Sequence, residues 1–319
     1  MEIISNPTQD EIKKAAQALK DGQLVAFPTE TVYGLGADAT NEKAVSRVYS
    51  VKARPTDHPL IVHISSINQL GKWAIEIPDF AIKLAKNYWP GPMTLILSRK
   101  AIAKDFITGG QDSVGVRVPN QSIALELIHK FELLGGYGIA APSANRFRAV
   151  SPTTAQAVYE ELGTHLTRND LILDGGHSEI GIESTIIDCT GITPRVLRPG
   201  AISKKMIESI TGLSTALNYE AGITRTSGML DSHYSPKAKV RIGLDPKPGE
   251  GLIALSNIPT PRGVVRLGLL KNNEDFAREI YQLLRLGDNK GLKYISIILP
   301  PAGYLSEAIA DRMNKAAAG

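Results

Sequence analysis

Leu24-Val25-Ala26-Phe27-Pro28-Thr29-Glu30-Thr31-Val32-Tyr33-Gly34-Leu35-Gly36 is an apolar run that breaks into two hydroxyls, a carboxylate and two glycines. The apolar half reads as a buried strand. The polar half reads as a turn at its end, where small side chains and free amides let a ligand approach, with Gly34 and Gly36 letting the backbone turn. Upstream, Ile12, Ala15, Ala16 and Leu19 recur at helical spacing behind a Thr8–Glu11 capping box. Downstream, the pattern predicts a helix from an Asn41 cap to Val51, a strand Leu60–Ile64, a helix Asp79–Asn87 and a strand Met93–Leu97 behind the rigid Pro90-Gly91-Pro92 turn. Strands at Val114–Val118, Tyr137–Ala141, Leu171–Asp174, Ser184–Cys189 and Arg195–Arg198 alternate irregularly with helices at Ile123–Phe131 and Thr153–Leu162. Without a regular repeat or a glycine-rich dinucleotide fingerprint, this predicts an α/β fold built on a twisted mixed β-sheet with flanking helices.

A helix Ser203–Thr211 closes the first predicted domain, residues 1–211. Residues 212–238 are rich in Gly, Ser, Thr and Pro and lack periodicity, which predicts a linker or lid. Alternation then returns in Val240–Leu244, Leu252–Leu255, a helix Glu274–Leu286, the strand Tyr294–Leu299 and a helix Tyr304–Lys315. Residues 239–319 are therefore expected to form a small α/β domain.

The chain has 319 residues, 43% hydrophobic and 21% charged, and no apolar run near the roughly 20 residues that span a bilayer. The segment Met1-Glu2-Ile3-Ile4 lacks the features of a secretory signal, so the cytoplasm is expected. Cys189 is the single cysteine, which excludes an intrachain disulfide and a cysteine metal cluster; strand packing is its expected role. The net charge of +4 does not identify nucleic acid. Residues 1–210 hold 22 basic and 22 acidic residues, and the excess lies in residues 211–319, with 14 against 10. Basic residues nowhere alternate with aromatics as on a base-stacking surface.

Several segments could carry chemistry. Lys52-Ala53-Arg54-Pro55 sets two cations two residues apart before Thr56-Asp57-His58-Pro59, which suits a polyanion, a solvated loop being the alternative. His63 lies at the polar end of its strand, where a structural histidine is the alternative to a functional one. Arg117, flanked by valines, requires an anionic partner, either an internal carboxylate or a substrate. Ala141-Pro142-Ser143-Ala144-Asn145 again ends an apolar strand in small and polar residues, and Ser151-Pro152-Thr153-Thr154 reads as a helix cap that could also take an anion. Glu183-Ser184-Thr185 and Arg198-Pro199-Gly200 add hydroxyls and a cation. Together these predict one cleft assembled at strand ends, suited to a phosphorylated, carboxylated substrate. No paired carboxylates or HExxH spacing point to a metal or a catalytic triad.

In order, these segments and Trp89–Thr94 resemble the two-domain threonylcarbamoyl-AMP synthases, with a YrdC-like catalytic domain and a smaller carboxy-terminal domain. The resemblance covers nearly the whole chain, and Ser232-His233-Tyr234-Ser235-Pro236 is similar to the family's interdomain segment. It implies an enzyme of the nucleotidyltransferase class that condenses L-threonine, bicarbonate or carbon dioxide, and ATP into threonylcarbamoyl-AMP and pyrophosphate. The product would pass to a tRNA threonylcarbamoyl-transferase system that modifies the adenosine beside the anticodon.

By motif position, the resemblance implies that Thr31, His63, Arg117 and Ser184 bind threonine. It places Lys52, Arg54, His58, Ser113, Ala141, Ser143, Asn145, Ser151, Arg198 and Tyr234 on the ATP side, with Lys52 and Arg54 as catalytic cations and His233 and Tyr234 as a linker lid. His58 departs from the Asn or Lys common there. Magnesium is expected with ATP, held mainly by phosphate oxygens. Weak RNA binding is a further expectation, and RNA binding alone is a competing reading. Carbamoyl transfer of the hydrogenase-maturation type is another, disfavoured because zinc-finger cysteines and an acylphosphatase-like extension are absent from the sequence.

Overall fold

The structure, a computed structural model, describes residues 2–217 and 234–319. His233 lies outside the described residues. Eleven strands among them join in one sheet: β1 (Glu2–Ser5), β2 (Val25–Phe27), β3 (Gly34–Asp38), β4 (Ile61–His63), β5 (Met93–Ser98), β6 (Ser113–Arg117), β7 (Ile139–Ala140), β8 (Leu171–Asp174), β9 (Thr185–Asp188), β10 (Arg195–Arg198) and β11 (Ala216–Leu217). Their order is β1-β8-β2-β3-β7-β4-β6-β5-β9-β10-β11, with parallel and antiparallel neighbours interleaved, the mixed sheet that the irregular alternation predicts. A second sheet, in the order β12 (Lys239–Ile242), β15 (Tyr294–Ile297), β13 (Gly251–Ile253), β14 (Val265–Arg266), is wholly parallel.

The helices are α1 (Gln9–Lys20), α2 (Glu42–Lys52), α3 (Leu70–Trp73), α4 (Asp79–Tyr88), α5 (Asp105–Thr108), α6 (Ser122–Leu133), α7 (Ala155–Leu162), α8 (Lys204–Thr211), α9 (Asn273–Asn289) and α10 (Ser306–Ala317). Local chemistry sets their starts. Thr8 caps α1 through a complete capping box, with its amide donating to Glu11 Oε2 at 2.8 Å, and Asn41, Thr154 and Ser203 accept from backbone amides of α2, α7 and α8. The buried faces of α1 and α6 pack together on one side of the large sheet.

Two stretches depart from the sequence-based expectation. Gly34–Asp38 is a fully buried strand, so Gly34 and Gly36 are strand glycines and not part of a turn. A Cβ on Gly36 would sit 2.7 Å from Ile139 and 2.9 Å from Phe27, so glycine here permits the close approach of β7 and of the Phe27 ring. Ala216–Leu217, inside the expected linker, pairs in parallel with β10 and extends the large sheet.

The two sheets are not independent bodies. One core cluster joins Val32, Val150, Ile182 and Ala201 to Tyr234 and to the buried faces of α9 and α10. Gly181, at φ +79°, approaches α9 so closely that a Cβ would lie 2.4 Å from the Arg278 backbone.

Candidate active site

His63 and Arg117 are cross-strand partners in the β4/β6 ladder, and Ile61 lies two residues before His63. Because side chains alternate along a strand, all three project from the same face. His63 and Arg117 are the last residues of β4 and β6, Ser184 directly precedes β9 and Arg198 ends β10, so the cleft lies at strand ends, as the sequence suggested, and loops enclose it. It is lined by Thr29, Thr31, Val32, Tyr33, Gly34, Arg54, Ile61, His63, Arg117, Ala141, Pro142, Ser143, Glu183, Ser184, Arg198 and Tyr234.

The turn between β2 and β3 forms one wall, and Thr29 holds its shape. Thr29 Oγ1 donates to the Val32 carbonyl at 2.6 Å and accepts from the Thr31 and Val32 amides at 3.2 Å. Thr31 Oγ1 is thereby aimed at Arg117, whose Nη2 donates to it at 2.9 Å. Arg117 Nη2 also lies 2.8 Å from Glu30 Oε1, an ion pair between side chains that are 6% and 3% exposed. The pair lacks hydrogen-bond alignment, leaving both Glu30 oxygens and Arg117 Nε without hydrogen bonds among the described residues.

On the opposite wall, Ser184 Oγ lies 2.8 Å from Thr94 Oγ1, and Arg198 donates to the Ser184 carbonyl and hydroxyl, each at 3.1 Å. Burial and the neighbouring Arg117 charge lower the His63 pKa to about 3, so its imidazole is neutral at physiological pH. Burial lowers the Arg54 pKa to about 10, which still leaves it charged. Three guanidinium groups and a neutral imidazole thus border the cavity, against Glu183 on its lining and Glu30 paired with Arg117, leaving a net positive field suited to an anion-rich ligand.

All four residues expected on the threonine side, Thr31, His63, Arg117 and Ser184, line this cavity, as do Arg54, Ala141, Ser143, Arg198 and Tyr234 from the ATP side. Lys52, His58, Ser113, Asn145 and Ser151 do not. Lys52 ends α2, and the left-handed Ala53 (φ 49°) that caps the helix turns the chain, so the two cations do not point the same way. Arg54 faces the cavity, while Lys52 Nζ donates to the Ser143 carbonyl at 2.6 Å and to that of Asn145. Lys52 thus fastens the 143–145 loop. Asn145 Nδ2 donates to the Arg146 and Ala149 carbonyls at 2.7 and 2.8 Å, His58 packs edge-on against Phe147, and Ser113 begins β6 at the end away from Arg117.

Glu183 was legible only as part of a hydroxyl-bearing segment, yet it is a buried carboxylate that accepts three hydrogen bonds. Oε1 accepts from Ser151 Oγ at 2.6 Å, and Oε2 accepts from Tyr281 and from Arg312 Nε, both at 2.9 Å. Burial alone would raise its pKa, but Arg312 and Arg198 hold it at about 2. Tyr281 and Arg312 also escaped sequence reasoning. The one available signal was Arg312 at a core position of α10, in step with Ala308, Ile309, Met313 and Ala316. Tyr234 stacks on Tyr281 at 5.5 Å between centroids and lies 5.5 Å from the Arg312 guanidinium.

The cavity holds about 50 Å³. An apolar cavity of about 150 Å³ is what admits benzene. The enclosed space is smaller than that, so an amino acid with a nucleotide either extends into the open mouth of the cleft or displaces a wall.

A family model described as telomere recombination, covering Sua5, YciO and YrdC proteins, matches residues 17–200. Another, described as the threonylcarbamoyl-AMP synthase C-terminal domain, matches residues 202–318. Threonylcarbamoyl-AMP synthase from Pyrococcus abyssi is 39% identical, over 96% of this chain and 93% of its own length. The Bacillus subtilis enzyme of that name is 36% identical, over 100% and 95%. The crystal structure of P. abyssi Sua5 complexed with L-threonine matches with a TM-score of 0.89 at 37% identity, covering 99% of this chain and 98% of that one.

Proposed function

Since this chain belongs to the threonylcarbamoyl-AMP synthase family, in its two-domain form, we infer that its buried cavity joins L-threonine, bicarbonate or carbon dioxide, and ATP into threonylcarbamoyl-AMP and pyrophosphate. The reaction class is nucleotidyl transfer, and the product serves threonylcarbamoyl modification of tRNA adenosine. The observation that carries the reading is the convergence of Arg54, Arg117 and Arg198 on one small cavity beside neutral His63.

The neutral threonine amine first becomes a carbamate: it adds to the carbon of carbon dioxide as one C=O π bond opens and the nitrogen gives a proton to solvent, or it displaces hydroxide from bicarbonate, which leaves with that proton as water. A carbamate oxygen then attacks the α-phosphorus as the bond to pyrophosphate breaks. Carboxylate, carbamate and triphosphate bring several negative charges together, so the protein's main task is positioning and charge stabilisation. Arg117 is the carboxylate clamp, with Thr31, Ser184 and His63 completing the threonine side. With a pKa near 3, His63 acts as a hydrogen-bonding group and is not a base at neutral pH. Arg54 and Arg198 face the phosphates, while Lys52 acts through the 143–145 loop.

ATP enters as its magnesium complex. No cluster of three or more His, Cys, Asp or Glu side chains able to hold a metal occurs among the described residues, and the Glu183 carboxylate already accepts three hydrogen bonds. The ion is held by the phosphate oxygens. No helix among the described residues is long and apolar enough to cross a membrane.

Incubation with ATP, bicarbonate and single amino acids, followed by pyrophosphate measurement, tests the reading. Release that depends on threonine is expected; release that is equal with serine or with no amino acid would overturn it. Where a wall is displaced, Tyr234 is the one assigned to move. Its backbone sits in the left-handed region at φ 62°, a conformation that costs about 1–2 kcal/mol and is held here by the stack on Tyr281. The Tyr234→Ala variant is expected to raise the ATP KM or lower the yield of intact product, and unchanged kinetics would remove the lid.

A further inference from the structure

Three loops of the catalytic domain meet the carboxy-terminal domain at a single carboxylate. Glu183 directly precedes Ser184, accepts from Ser151 at 2.6 Å, and accepts from Tyr281 of α9 and Arg312 of α10 at 2.9 Å each. Arg312 reaches beyond it, donating through Nη2 to the Pro199 carbonyl at 2.9 Å, one residue after Arg198. Tyr281 and Arg312 also form the seat of Tyr234. Every named group is buried, so each hydrogen bond fixes an orientation that water cannot readily replace.

Neither Tyr281 nor Arg312 lines the cavity, although the groups they hold do so or lie directly behind it. We propose that Glu183, Tyr281 and Arg312 form a positioning hub through which the carboxy-terminal domain sets Ser151, Arg198 and Tyr234 on the nucleotide side. The domain then acts on the reaction by holding three loops in register, beyond covering the site. This rests on the reading of the cavity as a site for threonine and ATP.

The test uses full-length Tyr281→Phe and Glu183→Gln. Tyr281→Phe keeps the ring stacked on Tyr234 and removes one hydrogen bond to the carboxylate. Each variant is expected to raise the ATP KM about tenfold, the effect of one lost hydrogen bond to a charged group, while the threonine KM stays within about twofold. Combining Tyr281→Phe with Ser151→Ala should give less than the product of the two single effects, because both act through Glu183. An unchanged ATP KM, or a fall in kcat with both KM values fixed, would make the cluster a scaffold only and overturn the proposal.

Equilibrium binding of a fluorescent N-methylanthraniloyl ATP separates this outcome from failure of the functional reading. If wild type releases no pyrophosphate with threonine, that reading falls. The hub is then upheld by about tenfold weaker analogue binding in both variants and overturned by equal binding.

Discussion

Arg117→Ala is expected to cut threonine-dependent pyrophosphate release by roughly a hundred- to a thousandfold, the effect of removing the cationic partner of a buried substrate carboxylate. Arg117 touches both Thr31 and the buried Glu30. Its loss removes the carboxylate clamp and also strands Glu30 without a counter-charge. The second consequence should cost about 3–5 kcal/mol of stability. Arg117→Ala combined with Glu30→Gln separates the two, since the neutral amide no longer needs a cation. The double variant should regain most of the melting temperature lost by Arg117→Ala while turnover stays low. Recovery of turnover together with stability would show that Arg117 serves folding and not the substrate. Arg117→Lys restores charge without the planar fork, so partial rescue is expected.

The architecture was legible where apolar periodicity was strong. Leu171–Asp174 and Arg195–Arg198 form strands with the bounds the pattern predicted, and α1 starts at its capping box. Gly34–Asp38 was hidden because Gly-Leu-Gly-Ala-Asp has little intrinsic strand preference; only the close packing of β2 and β7 on either side makes it a strand. The two-residue strands Val265–Arg266 and Ala216–Leu217 are too short to give an alternating signal.

The candidate site was legible where chemistry-bearing residues interrupt apolar runs, as at Thr31, His63, Arg117 and Ser184. Direction was not legible. The two-residue spacing of Lys52 and Arg54 suggested a shared aim, and the left-handed helix cap at Ala53 sends them different ways. Partnership across domains was the least legible, because Tyr281 and Arg312 lie about a hundred residues or more from Glu183 and sit on ordinary amphipathic helices.

Arg312→Ala should be the most destabilising single change in the carboxy-terminal domain, by about 3–5 kcal/mol at pH 7, because it leaves the buried Glu183 carboxylate without its nearest cation. The pH dependence identifies the cause. In the folded protein the Glu183 pKa is about 2, below its ordinary value of 4.5, so the folded state binds this proton more weakly than the unfolded one. That difference is worth about 3 kcal/mol, present in full above pH 4.5 and lost as pH falls through 4.5 toward 2. Without Arg312, Arg198 and Ser151 alone oppose burial, so the carboxyl is held down less and less of this contribution remains at neutral pH. His63 adds a separate acid sensitivity. Its folded pKa of about 3 lies below 6.5, so its contribution is complete above pH 6.5 and declines from there toward 3, in wild type and variant alike. Urea unfolding at a series of pH values should therefore show both proteins weakening below pH 6.5. The gap between them should close only as pH drops below 4.5; a gap independent of pH would mean that Arg312 stabilises by packing and not by holding the Glu183 charge.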